Sequence, residues 1–102
     1  MVDINREIER AVKTGKVFFG CNSAVKNALE GKAKLIVLAE NCPEEMKRRI
    51  ERYSKLSSIP VLIYKGSGRE LGKVCGKPFT VSALSIREFG DSKIMEVLEG
   101  QG

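Results

Sequence analysis

The chain has 102 residues and a net charge of +5, from 18 Lys and Arg against 13 Asp and Glu. That length suits one domain with its own core, and no apolar run approaches the ~20 residues that span a bilayer. With no His, and with its three Cys widely spaced at Cys21, Cys42 and Cys75, the chain cannot build a zinc-finger metal site or a Ser/His or Cys/His catalytic scheme. The basic excess favours an anionic partner, nucleic acid first, although an excess of this size also serves solubility. The expected thiol state is reduced, as in a cytosol, with a Cys42–Cys75 disulfide as the minor alternative. The first residues carry acids and no apolar core, so they do not read as a secretory signal.

Ile4 to Thr14 is predicted as a helix, because Ile4, Ile8, Ala11 and Val12 recur on one apolar stripe. Asp3 suits its N-cap and Gly15 its stop, and Arg6, Glu7, Glu9, Arg10 and Lys13 fall on the wet side. Lys16 to Phe19 is a short strand. Gly20 then leads into a helix over Ala24 to Glu30, capped by Asn22 or Ser23, with Val25, Ala28 and Leu29 as its buried face and Lys26 pointing away. A glycine before a helix N-terminus suits an anion, since unpaired amides and the helix dipole both attract negative charge. Taken alone, this stretch favours the plainer reading, with Gly20 a turn residue and Asn22 a cap.

Gly31 ends that helix. Leu35 to Ala39 is a continuous apolar run of strand length, which fits a strand covered on both faces. Asn41, Cys42 and Pro43 open a third helix that runs to about Leu56, with Pro43 suited to its first position and Glu44 and Glu45 complementing its dipole. Met46, Ile50, Tyr53 and Leu56 form its apolar stripe. Lys47, Arg48, Arg49, Arg52 and Lys55 form a basic face, but acids interleave with it; only Lys47, near the helix start beside Asn41, is singled out. Pro60 to Tyr64 is the third strand, with proline at its first position.

Ser67 and Glu70 have the spacing of a capping box at the start of a short helix. Gly76 can end that helix in a left-handed conformation, and Pro78 forces the chain out of it. The turn sets Lys77, a cation that can hold a phosphate, beside Phe79, a ring that can stack on an unpaired base. The plainer reading makes Phe79 a core residue and Lys77 a solvated one. Thr80 to Ile86 is the fourth strand, and Asp91 and Ser92 cap a last short helix containing Ile94, Met95, Val97 and Leu98. Residues from Gly100 read as a frayed tail.

Alternating helices and strands give an α/β fold: a three-layer α/β/α sandwich, a four-stranded mixed sheet with helices on both faces, and a single domain over 1–102. The loops at 20–23 and 39–43 share one sheet edge if their strands are parallel. The 76–79 turn joins them only if the last strand is antiparallel, and that arrangement is expected. Gly66-Ser67-Gly68 lacks the third glycine of a dinucleotide fingerprint, since Leu71 stands there, and it comes too late in the chain. A helix dipole could activate Cys21 or Cys42, but no base lies near either in sequence, so small buried residues are expected.

The segments GKAKLIVLAENCP, Tyr-x-x-Leu-Ser at Tyr53, Ile-Pro-Val at 59–61, GSGRELGKVCGKPF, VSALSI and GDSKI together closely resemble the archaeal and eukaryotic large-subunit ribosomal protein family numbered thirty. The likeness runs in unchanged order from about Gly15 to Ile94, and its proline-containing turn looks archaeal. That family resembles a wider superfamily that binds kink-turns, RNA bends built on tandem sheared G·A pairs. What the resemblance implies is RNA recognition at one sheet edge. Gly20, Asn22 and Lys26 match the first RNA loop and following helix, Asn41 and Lys47 the second contact region, and Gly76, Lys77 and Phe79 the third, with the ring on an exposed base. The chain departs from the best-known kink-turn binders at Ser23, where they carry an acid. The implied partners are ribosomal RNA and the large ribosomal subunit in the cytoplasm, with no membrane, no metal, no cofactor, no turnover and a monomer when free. The alternative is a non-ribosomal or autoregulatory RNA-binding member of the same superfamily.

Overall fold

The structure, a computed structural model, describes residues 4–95. Asp3, most of the last predicted helix and the tail from Gly100 lie outside the described residues. Chain order gives α1 (Ile4–Thr14), β1 (Lys16–Phe19), α2 (Cys21–Glu30), β2 (Leu35–Ala39), α3 (Glu44–Leu56), β3 (Val61–Tyr64), α4 (Gly68–Val74) and β4 (Ala83–Glu88).

The four strands form one mixed sheet in the order β1-β4-β2-β3. β4 is antiparallel to both its neighbours, and β2 is parallel to β3. The C-terminal ends of β1, β2 and β3 therefore share an edge with the N-terminal end of β4, as expected. Val37 pairs with both Leu62 and Leu84 at the sheet centre, and all of β2 is buried. That explains its uninterrupted apolar run.

Two cores lie on the two faces. Ile8 and Ala11 of α1 and Leu71 of α4 pack with Leu35, Val37, Leu62, Leu84 and Ile86. Ala24 and Ala28 of α2 and Ile50 of α3 pack with Ile36, Leu38 and Ala83. Helices thus cover both faces, as expected of a three-layer sandwich.

Cys42 and Cys75 lie in opposite cores and all three cysteines are free, in line with the expected thiols rather than the minor disulfide alternative. Several other expectations need correction. α2 begins at Cys21 rather than Ala24, because Gly20 adopts φ 106° and ψ 153° and the chain turns helical directly after it. Leu29 is 63% exposed, since α2 faces its core with Ala24, Asn27 and Ala28 instead. Asn27 is buried because its Nδ2 donates to Ser85 Oγ in β4 at 2.8 Å, which satisfies two polar groups at once. Leu56, at the last position of α3, is 78% exposed, and Ser54 takes the buried place one turn after Ile50. Glu7 is buried rather than wet, because its Oε1 accepts the Lys93 amide at 2.7 Å and its other oxygen lies 3.5 Å from Arg10.

β4 starts at Ala83, three residues after the expected Thr80. The preceding stretch is drawn across α4 instead: Val81 N–H donates to Gly68 O at 2.9 Å. An added Cβ on Gly72 would collide with the Phe79 carbonyl oxygen, so the chain lies directly against that helix.

Candidate nucleic-acid interface

Four loops meet at the edge where β1, β2 and β3 end and β4 begins. The β1–α2 junction is held by Gly20 N–H, which donates to Ala83 O at 2.8 Å. The Gly20 amide is therefore spent inside the fold. Glycine is required here because φ 106° with ψ 153° is closed to residues with a side chain. Gly20 is also the N-cap of α2 and offers no capping side chain. The first-turn amides of α2 consequently face outward unsatisfied by a cap, the condition that draws an anion to a helix start. Asn22 is inside the helix and exposed, not its cap. Lys26 follows one turn later, also exposed.

The β2–α3 loop is tied in two ways. Asn41 Oδ1 accepts the Gly68 amide at 2.8 Å, fixing the start of α4 and leaving the Asn41 Nδ2 donors for a partner. Cys42 Sγ lies 4.0 Å from Cys21 Sγ, so the start of α2, which carries Asn22, and the loop carrying Asn41 sit side by side. Burial, then the neighbouring Cys21, push the Cys42 thiol up to about 11, and burial pushes Cys75 to about 11 as well. Neither is a nucleophile at neutral pH. Pro43 is the N-cap of α3 rather than its first residue, and Lys47 is half-buried in the first turn.

The third loop follows α4. Ser67 Oγ accepts the Glu70 amide at 3.3 Å, one arm of the expected capping box. At the other end Gly76 takes φ 71°, with Lys77 N–H donating to Gly72 O at 2.9 Å and Gly76 N–H to Lys73 O at 3.0 Å. This is a Schellman stop. It turns the chain so that Lys77 Nζ stands 5.1 Å from the centroid of the Phe19 ring. Phe79 meets the same ring edge-on, with centroids 6.3 Å apart, and stays 52% exposed.

Phe19 is thus the residue that sequence reasoning missed. It is the hub on which Lys77 and Phe79 are placed, a supporting role rather than a contact of its own. Strand parity carried a signal for it: Val17 and Phe19 share one face, packed on the first core, while Phe18 lies on the other. The ring cluster joins Lys77 and Phe79 to Phe19, the residue before Gly20, and the thiol contact joins the segments of Asn22 and Asn41. Among the described residues no direct contact joins Lys26 or Lys47 to the ring cluster.

Some cations of the surface are paired with acids and others are not. Arg48 and Arg49 of α3 lie 3.5 and 3.8 Å from Glu44 and Glu45, and Lys13 lies 2.8 Å from Glu9. Among the described residues Lys26, Lys47 and Lys77 have no carboxylate partner. Two of the five cations in the basic run of α3, Arg48 and Arg49, are thus paired with acids of the same helix.

Residues 2–96 match the family model described as ribosomal protein L7Ae/L30e/S12e/Gadd45 family. The chain belongs to that family. Among its relatives, the large ribosomal subunit protein eL30 of Methanosphaera stadtmanae is 52% identical over 96% of this chain and 100% of its own length. The protein of that name from Methanothermobacter thermautotrophicus is 50% identical over 95% of this chain and 99% of its own. That from Saccharolobus solfataricus is 44% identical over 96% and 91%. The resemblance read from GKAKLIVLAENCP and GSGRELGKVCGKPF therefore holds. A solved Bacillus halodurans protein of unknown function shares the fold of this chain, with a TM-score of 0.81 at 17% identity over 97% of this chain and 99% of that one.

Proposed function

We propose that this chain is a structural constituent of the large ribosomal subunit in the cytoplasm, and that it binds ribosomal RNA at a kink-turn through its loop edge. The large-subunit role is supported by the names of relatives near 50% identity along the whole chain. The RNA reading is carried by one observation: an exposed Phe79 ring, steadied by Phe19, stands beside Lys77 at the same edge as an uncapped helix start. A bent RNA presents clustered phosphates and unstacked bases, and this edge supplies partners for both. The first-turn amides of α2, with Lys26, suit phosphate. Asn22 and the Nδ2 of Asn41 suit base edges, Lys47 and Lys77 suit the backbone, and Phe79 suits a splayed base. Gly20 and Gly76 act through the backbone shapes that bring these groups forward. The chain acts as one RNA-binding unit, a monomer when free, and no substrate turns over.

The test is titration of a short kink-turn RNA beside the same RNA with its sheared G·A pairs converted to Watson–Crick pairs. The expected result is strong preference for the kinked RNA. Equal binding to both, falling steeply with salt, would leave only a basic surface and overturn the kink-turn reading.

A further inference from the structure

The outer face of α4 carries a feature that the loop edge does not use. Arg69 and Lys73 stand four residues apart on it, and with Lys77, Pro78, Phe79 and Thr80 they line an open groove. Arg69 and Lys73 are both exposed, and their spacing puts them on one side of the helix. No carboxylate lines this groove. Glu70, next in sequence to Arg69, turns its carboxylate towards Gly66 instead, where it would meet an added Cβ. Among the described residues neither Arg69 nor Lys73 has an acidic partner, in contrast to Arg48 and Arg49 of α3.

We propose that this groove holds the sugar-phosphate backbone of the RNA strand that continues from the base stacked on Phe79. The inference rests on the reading of Phe79 given above and extends it to residues outside the loop edge. The groove is open rather than closed, so it suits a passing strand better than a small free anion. Its wall ends at the exposed Phe79 ring, so one strand can stack a base there and lay its next phosphates along Lys77, Lys73 and Arg69. Four residues of helix rise about 6 Å, so successive cations are spaced along the strand rather than crowded on one phosphate.

The experiment measures the affinity of the kink-turn RNA against salt concentration for the wild-type chain and two double variants. The first carries Arg69→Ala with Lys73→Ala. The second carries Arg48→Ala with Arg49→Ala, and so loses the same net charge from α3. Thermal unfolding checks that both remain folded. The expected result is a slope of log affinity against log salt shallower by about 1.4 for the α4 pair, two single-strand contacts, and nearly unchanged for the α3 pair. Preference for kinked over Watson–Crick RNA should survive in both, since Phe79 and the α2 start are intact. An unchanged slope in the α4 pair, or an equal loss in both pairs, would overturn the groove. Loss of the kinked preference in the wild-type chain would instead overturn the loop-edge reading.

Discussion

Replacing Phe79 by Ala removes the exposed ring from the loop edge, and the structure sets the size of the effect. Phe79 is 52% exposed, and its ring meets Phe19 edge-on. A phenylalanine presents roughly 200 Å², so about 100 Å² is open to a stacking base. At ~25 cal/mol per Å² that is about 2.5 kcal/mol, inside the ~1–3 kcal/mol range for base–aromatic stacks. Phe79→Ala should therefore weaken kink-turn RNA binding about 60-fold. The buried half should cost on the order of 1 kcal/mol of stability through the lost ring pair. Phe79→Leu separates the two effects, because it keeps bulk against Phe19 but offers no flat face. Its stability should stay near that of the wild-type chain while its affinity falls most of the way to the Ala value. Calorimetric titration reads the affinity and denaturant unfolding reads the stability. An unchanged dissociation constant for folded Phe79→Ala would refute the stacking argument.

Asn41→Ala should lose about 1–2 kcal/mol of stability, because the Gly68 amide is left without its acceptor; an unshifted unfolding midpoint would show that water replaces the bond at no cost. Gly72→Ala should displace the Lys77–Phe79 turn, costing roughly 1–3 kcal/mol and weakening RNA binding with the ring still present. Wild-type affinity in that variant would mean the turn need not lie against α4. Burial raises the Cys75 thiol from 9.0 to about 11, so between these values the unfolded chain releases a proton that the folded one keeps. Stability is then full below about pH 9 and falls as pH rises towards 11, by roughly 1–3 kcal/mol from this group. The decline should be shallower in Cys75→Ala, and equal slopes from pH 9 to 11 in both proteins would contradict the assignment.

Local chemistry in the sequence was enough for most element boundaries. α1 falls where its apolar stripe and Gly15 place it, and β1 and β2 fall where short apolar runs place them. The Gly76 stop was legible for the same kind of reason: only a left-handed glycine followed by Lys-Pro ends a helix there. The errors share one cause. Leu29 and Leu56 were assigned to the core from hydrophobicity, but burial is decided by what packs opposite. Asn27 and Ser54 hold the buried places, Asn27 through its bond to Ser85. Glu7 was assigned to water because its partner amide at Lys93 lies 86 positions away. The start of β4 shifted because Val81 is bound to α4, a contact that no local pattern encodes.

For the candidate site, the sequence alone determined the residue types and their neighbours along the chain. It supplied Gly20 before a helix start, Asn41 before Cys42 and Pro43, and Lys77 and Phe79 in a turn after Gly76. Backbone conformation at these points depends on a few adjacent residues, so short-range sterics suffice to read it. Only the tertiary structure decided that these loops share an edge, because that follows from β4 running antiparallel between β1 and β2. It alone placed Phe19 beneath Lys77 and Phe79, and joined Asn41 to α4 and Cys21 to Cys42. Such pairings depend on which strands lie side by side, and strand order is fixed by the packing of two whole cores rather than by any segment within them.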